Sequence, residues 1–240
     1  MSERVSHASG PSRVGRAVLV QLVGWPSTLG AAWGTLVLVF LLNLALFGAI
    51  HDNEPSPQTG ALASIYIITF VGAISSINQV FPFTLSLSLI RRTFYTAFAL
   101  LQVGQALLFG VLLTLCKLVE DVTGGWGLNL TFFGLGFLDQ DNPLLQILVY
   151  TVPFVVLGFW GSFIALVYQR WHLPGVYVLA IVKILAVGLP IVLITWQRWW
   201  DEIGRWIVDQ PSLSLVAGWP LVIGVAMAGA GYLTIRRATP

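Results

Sequence analysis

Apolar residues are concentrated in six segments of the chain, each long enough to cross a lipid bilayer as a helix. An α-helix rises about 1.5 Å per residue, so about 20 apolar residues cross a hydrocarbon core of about 30 Å. The pattern therefore predicts an all-α membrane protein with six transmembrane helices, and residues 1–240 form a single transmembrane domain. The predicted spans are 31–50, 61–80, 93–116, 144–167, 174–196 and 213–235.

Two further segments carry apolar residues at three- and four-residue steps. Near the start, Val14, Val18 and Leu22 follow this spacing beside Arg13 and Arg16. This predicts an N-terminal elbow helix in the inner membrane interface, within a cytoplasmic segment of residues 1–30. An irregular basic tail is the alternative, because the amphipathic pattern is modest.

The second such segment lies between spans five and six. Its apolar stripe comprises Trp196, Trp199, Trp200, Ile203, Trp206 and Ile207. Charged residues occupy the opposite face, where Asp201 and Arg205 are spaced for an i,i+4 pair. We predict an outer amphipathic helix here, and an aromatic belt around an ordinary loop is the alternative.

The distribution of positive charge predicts the orientation of the chain. With a cytoplasmic N-terminus, eight arginines fall on inner segments and three positive residues on outer ones. The inner set is Arg4, Arg13, Arg16, Arg91, Arg92, Arg170, Arg236 and Arg237, and the outer set is Lys117, Arg198 and Arg205. Positive residues are enriched on the cytoplasmic side of membrane proteins. Both termini are therefore predicted to be cytoplasmic, in a multi-pass protein of the plasma membrane.

Composition excludes several classes of protein. Apolar residues make up 57% of the chain and charged residues only 9%, against about 25% charged in a typical soluble domain. This excludes a soluble enzyme and a disordered protein. The single cysteine, Cys116, allows no intrachain disulfide. A net charge of +2 gives no indication of nucleic-acid binding.

Recognisable catalytic and cofactor motifs are missing from the sequence. It contains neither a G-x-x-x-x-G-K-[ST] nucleotide loop nor an H-E-x-x-H zinc motif. His7, His51 and His172 fall in three separate connections or tails, so they are not expected to share a metal. No carboxylate lies within the predicted spans, which argues against a carrier using an intramembrane acidic relay. We therefore expect no catalytic residue, cofactor or metal.

Lys183 is the one charged residue inside a predicted span. It lies nine residues into the fifth span, about 13 Å from its inner end. An intramembrane charge is a candidate for the translocation path. The alternative is snorkelling, in which the long side chain carries the ammonium toward the headgroups. Because no carboxylate lies in any span, a structural role is favoured, with snorkelling or contact to side-chain amides.

The connection between spans two and three combines aromatic residues with an arginine pair. Its candidate functional residues are Phe81, Pro82, Phe83, Arg91, Arg92 and Phe94. We predict a short helical elbow with Pro82 near its start, where proline is tolerated. The simpler interpretation is that Arg91 and Arg92 only anchor the chain at the inner surface.

The order of these elements resembles the membrane subunit of exporter-type (type-2) ATP-binding-cassette transporters. Local sequences also resemble small bacterial, especially actinobacterial, permeases. These are Phe81-Pro-Phe with Arg91-Arg92, Gly124-Gly-Trp-Gly, Tyr168-Gln-Arg-Trp and the terminal Arg236-Arg-Ala-Thr-Pro. The chain departs from the family at Ser88-Leu-Ile, where Gly, Val and Thr or Ser are more usual.

The resemblance implies a coupling elbow that docks on a cytoplasmic ATPase subunit. ATP would then be bound and hydrolysed by that partner, and two permease subunits, identical or different, would form the exporter. Two rival interpretations are a membrane-embedded lipid-modifying enzyme and a non-transporting scaffold or immunity protein.

Overall fold

A computed structural model describes residues 13–22, 24–49, 60–86, 91–134, 136, 138–140 and 142–237. The regular structure of these residues is helical. The helices are α1 (Arg13–Leu22), α2 (Trp25–Ala49), α3 (Ala63–Ser86), α4 (Arg91–Val122), α5 (Pro143–Gln197), α6 (Trp200–Asp209) and α7 (Trp219–Arg237). Shorter helical turns cover Gly60–Leu62, Gly125–Asn129 and Ser214–Gly218.

Five helical segments of the described chain are long and apolar enough to cross a membrane. They are Thr28–Ala49, Gly60–Phe81, Arg91–Val122, Pro143–Gln197 and Ser214–Ile235. Each predicted apolar segment falls on one of these helices, apart from single residues at segment ends, so the prediction of a helical, membrane-type chain is confirmed at this level. The fourth and fifth predicted spans share the single segment Pro143–Gln197.

That 55-residue helix folds back on itself at His172. The backbone of His172 has φ 53° and ψ −151°, outside the helical region. In a straight helix, Trp160 and Lys183 would lie about 35 Å apart, yet the Lys183 ammonium is 4.1 Å from the centroid of the Trp160 ring. Residues 143–171 and 173–197 therefore form two antiparallel arms, which we call the first and second arms.

Local sequence explains the position of this turn. Pro174 has no backbone N–H, so it cannot donate the helical hydrogen bond to the carbonyl of Arg170. It also restricts Leu173, while its fixed φ suits the first turn of a new helix. The two other prolines of α5, Pro153 and Pro190, lie inside the arms.

The first arm is the centre of the fold, because α3, α4 and α7 all pack against α5. Buried first-arm residues such as Tyr150, Phe154 and Phe159 join a core with Phe109 and Leu113 of α4. A second core lies toward the α3–α4 connection. Among the described residues of α5, buried ones end at Val167.

The second arm and α6 have a different environment. None of the described residues from 171 to 209 is buried, although the second arm is apolar on every side. Such a continuous exposed apolar surface is typical of a membrane or protein contact.

Two helix ends differ from the prediction. Helix α4 continues to Val122 instead of ending at Cys116, so Lys117 and Glu120 belong to its last turns. Helix α3 continues through position 82 to Ser86, so Pro82 does not begin a separate elbow helix. Pro82 has no backbone N–H for the carbonyl of Asn78, so α3 lacks one backbone hydrogen bond near its end, and the neighbouring Phe81 packs on Phe94.

Candidate functional site

The α3–α4 elbow, residues 81–94, has a packed aromatic base. The rings of Phe81 and Phe94 lie 5.3 Å apart, and the two residues are 4% and 1% exposed. They share a core with Ile77 of α3, Leu166 of the first arm and Ile235 of α7. Phe81 and Phe94 therefore hold the ends of α3 and α4 at a fixed angle.

The arginine pair begins helix α4. Arg92 is exposed, whereas Arg91 is half-buried. The side chains of Pro82 and Phe83, as well as residues 87–90, lie outside the described part of the chain. Of the predicted coupling residues whose side chains are described, Arg92 is thus the one most available to a partner, and the docking role of the elbow stays a prediction.

The N-terminal helix α1 packs on the elbow. It contacts α4, and the side-chain amide of Gln21 donates a hydrogen bond to the carbonyl of Phe94 at 3.3 Å. A cavity of about 40 Å³ lies beside this contact. Its polar lining comes from Gln21, Ser76, Gln102 and Gln105, and Gln102 also donates to the Phe154 carbonyl at 3.5 Å. A movement of the elbow would therefore reach both α1 and this internal polar space.

Lys183 points across the helical hairpin toward the first arm. Its ammonium is 4.1 Å from the centroid of the Trp160 ring, the geometry of a cation–π contact. Among the described residues, the ion pairs all involve Lys117 and none reaches Lys183. Trp160 was not predicted from the sequence as the neighbour of Lys183, although these two residues lie almost symmetrically about the turn at His172.

The predicted outer amphipathic segment forms helix α6. None of the residues of α6 is buried. About half of the surface of Trp199, Trp200 and Trp206 is exposed, and Ile203 is less exposed than these tryptophans. The rings of Trp206 and Trp219 lie 6.2 Å apart. Arg205 Nε donates to the backbone carbonyl of Asp201 at 3.3 Å rather than to its carboxylate. The helix is thus present, and its place at a membrane surface stays a prediction.

The polar site with the most hydrogen bonds lies around Glu120 of α4, and it was not predicted from the sequence. Glu120 is only 3% exposed at the end of α4. Its carboxylate accepts hydrogen bonds from Trp126 Nε1 at 3.0 Å and from the backbone N–H groups of Phe132, Phe133 and Gly134 at 2.9–3.1 Å. These donors all come from residues 123–134, which we call the glycine-rich loop.

The conformation of the glycine-rich loop explains its glycines. Residues 124–127 all have positive φ, between 61° and 75°, and three of the four are glycine, the residue that adopts this conformation without steric cost. A Cβ on Gly125 would lie 2.6 Å from the backbone nitrogen of Leu130. This tight turn brings the following N–H groups around Glu120.

Neighbouring polar contacts fasten the same region. Lys117 Nζ bridges Asp121 at 3.0 Å and Asp139 at 2.9 Å. The hydroxyl of Tyr150 donates to the Phe133 carbonyl at 2.7 Å, and Gln146 Oε1 accepts from the backbone N–H of Gln140 at 2.9 Å. The described residues between α4 and α5 are therefore fixed to the ends of both helices.

No protein-family model, curated protein or solved structure matches the chain. Among the residues that the structure describes, no group of three or more His, Cys, Asp or Glu side chains could hold a metal ion. The arrangement consists of a packed elbow with an exposed arginine at one end of α4 and a closed polar loop at the other.

Proposed function

We propose that the chain is the membrane (permease) subunit of an exporter-type ATP-binding-cassette transporter in a bacterial plasma membrane. It forms a translocation path for a substrate, and a separate cytoplasmic subunit binds and hydrolyses the ATP. Two permease subunits, identical or different, make the working transporter. In this proposal the chain crosses the membrane six times and both termini are cytoplasmic.

The fold-back at His172 supports six crossings. The second arm runs beside the first, so α5 supplies two apolar arms of 25 residues or more, each longer than the approximately 20 residues that a bilayer requires. With the four other apolar helices, the total is six, an even number that returns the C-terminus to the side of the N-terminus. The positive-inside distribution supports the cytoplasm as that side.

The packing of the α3–α4 elbow is the observation that carries the proposal. Phe81 and Phe94 join α3 to α4, Gln21 joins α1 to the same point, and Leu166 and Ile235 extend the contact to α5 and α7. A force applied at the elbow would therefore reach α3, α4 and three other helices through these contacts. An ATPase docked on this loop could move the helical bundle without any ATP site in the chain.

The test is capture of an ATPase from detergent-solubilised membranes of the host, followed by mass spectrometry. A charge reversal at exposed Arg92, Arg92→Glu, is expected to reduce capture in a salt-dependent way. Arg205→Glu on α6 is the matched control, and it should capture normally. We take Phe83 as the apolar anchor of the elbow. Phe83→Ala should weaken capture about 30-fold relative to the wild type, the effect of a hot spot of ~2 kcal/mol, and Arg91→Ala should weaken it less.

Two results would contradict the proposal. Unchanged capture by a variant lacking Phe83, Arg91 and Arg92 would remove the elbow as the docking site. Failure of the wild-type chain to capture any ATPase would favour a lipid-modifying enzyme or a non-transporting scaffold instead.

A further inference from the structure

The two arms of α5 enclose an apolar groove near the His172 turn. Its volume is about 430 Å³, within the range of ligand clefts of about 300–1,000 Å³. Phe163, Val167 and Trp171 of the first arm line one wall, and Val178, Leu179 and Val182 of the second arm line the other. Val178 and Val182 are 60% and 55% exposed, whereas Leu179 is half-buried, so the groove is open at the surface of the protein.

Positively charged residues are found at both ends of this groove. At the turn, the guanidinium of Arg170 lies 4.3 Å from the centroid of the Trp171 ring, which is part of the groove wall. At the far end, Trp160 and Lys183 continue the two walls, because Trp160 is three residues before Phe163 and Lys183 is four after Leu179. The Lys183 ammonium covers the Trp160 ring, whereas Arg170 lies at the end formed by the turn.

The groove and the Trp160–Lys183 pair beyond it together span about one leaflet of a bilayer. Trp171 follows Trp160 by eleven positions, which corresponds to about 17 Å along a helix. One leaflet contributes about 15 Å, half of a hydrocarbon core of about 30 Å. With the turn at the membrane surface, the Trp160–Lys183 pair lies near the bilayer midplane.

We propose that this groove binds an anionic phospholipid of the leaflet in which the turn lies. One acyl chain occupies the apolar slot between the arms, and the phosphate of the headgroup pairs with Arg170. Arginine suits this role because its planar guanidinium donates several hydrogen bonds to phosphate oxygens. Basic sites between transmembrane helices are known to bind anionic headgroups. The proposal does not depend on the transporter function.

The test compares phosphatidylglycerol with phosphatidylcholine carrying the same acyl chains. Binding to the purified full-length protein in detergent is counted by native mass spectrometry. We expect phosphatidylglycerol to bind about fivefold more tightly, the effect of one basic residue near a headgroup. Arg170→Gln should remove this preference, because it weakens binding of phosphatidylglycerol more than binding of phosphatidylcholine, whose phosphate is balanced by the choline ammonium. Arg198→Gln, at the other end of the second arm, is the control and should keep the preference.

A second pair of variants tests the slot itself. Val178→Trp fills the groove and should reduce binding of both lipids, whereas Val192→Trp lies at an exposed position of the same arm and should not. Equal binding of the two lipids by the wild type would overturn the proposal. So would a preference that survives Arg170→Gln, or a disulfide dimer formed by Val178→Cys in native membranes, which would show that a second copy covers the groove.

Discussion

Glu120 provides the most demanding test of the structure, because one buried carboxylate holds the whole glycine-rich loop. Replacing it with alanine leaves four N–H donors without their acceptor. Two of them, the backbone N–H groups of Phe132 and Phe133, belong to residues that are at most 4% exposed. An unsatisfied buried donor costs about 1–3 kcal/mol, so these two alone cost about 2–6 kcal/mol.

Part of this cost is offset, because the variant no longer buries a charge. We expect Glu120→Ala to lower the free energy of unfolding by about 2–4 kcal/mol. For a chain of this length, 1 kcal/mol shifts the Tm by about 2–4 °C, so the expected loss is about 4–16 °C. Glu120→Gln should fall between the wild type and Glu120→Ala, since one oxygen remains while the new amide NH₂ faces N–H donors.

The measurement is thermal unfolding of the detergent-purified protein, combined with chymotrypsin cleavage in the glycine-rich loop. Asp121→Asn is the matched control, because that neighbouring carboxylate is 52% exposed and its pair with Lys117 contributes at most about 1 kcal/mol. A Glu120→Ala protein with the Tm of the control and no faster cleavage would refute the assignment of Glu120 as the anchor of the loop.

Three further predictions concern the helices. A Cβ at Gly161 would lie 2.7 Å from the Phe70 carbonyl oxygen. Gly161→Ala should therefore push α3 away from α5 and lower the free energy of unfolding by about 1–3 kcal/mol. Gly104 has open space around it, so Gly104→Ala should be neutral or slightly stabilising in the same melting assay. Lys183→Met should stay folded and active. The variant loses a cation–π contact of about 0.5–2 kcal/mol, but it also removes a charge from a predicted span. Loss of transport at normal expression and normal ATPase capture would instead indicate that Lys183 belongs to the translocation path. In a chain without Cys116, cysteines at Asn53 and Gln210 should react with an impermeant reagent added outside the cell, and a cysteine at His172 should not. Labelling of all three positions would rule out the six-crossing topology.

The positions of the apolar helices could be predicted from the sequence because they depend on local composition. A run of about 20 apolar residues has to satisfy its own backbone hydrogen bonds in lipid, and a helix does so without help from distant residues. The turn near Pro174 was also predictable from local sequence, because proline cannot donate a helical hydrogen bond. The finer assignment of membrane sides and of the docking elbow depends on partners and a membrane, and stays a prediction.

The site at Glu120 could not be predicted, because its partners are distant in sequence and belong to the backbone. The charges at Lys117, Glu120 and Asp121 are typical of the end of a span, so the sequence placed this end at Cys116. In the structure the acceptor lies on α4 and the donors lie 6 to 14 residues later. Every residue except proline has a backbone N–H group, so the sequence does not show which of these groups converge on one carboxylate. The glycines among residues 124–127 were the one sequence feature that indicated a tight turn here.

The two arms of α5 show why hydropathy alone does not separate a helix that faces protein from one that faces lipid. Both arms are apolar, but a Cβ on Gly158 or Gly161 of the first arm would overlap Gln102 or approach the Phe70 carbonyl. Around Gly188 of the second arm there is open space. Helices that pack closely in a membrane need small residues at the contact, because burial from lipid adds little hydrophobic driving force. The glycines at close helix contacts therefore identify the first arm as the one that packs against α3 and α4. In the second arm, the close contact of Gly175 is to Trp171 at the turn, and none of the described residues of that arm is buried.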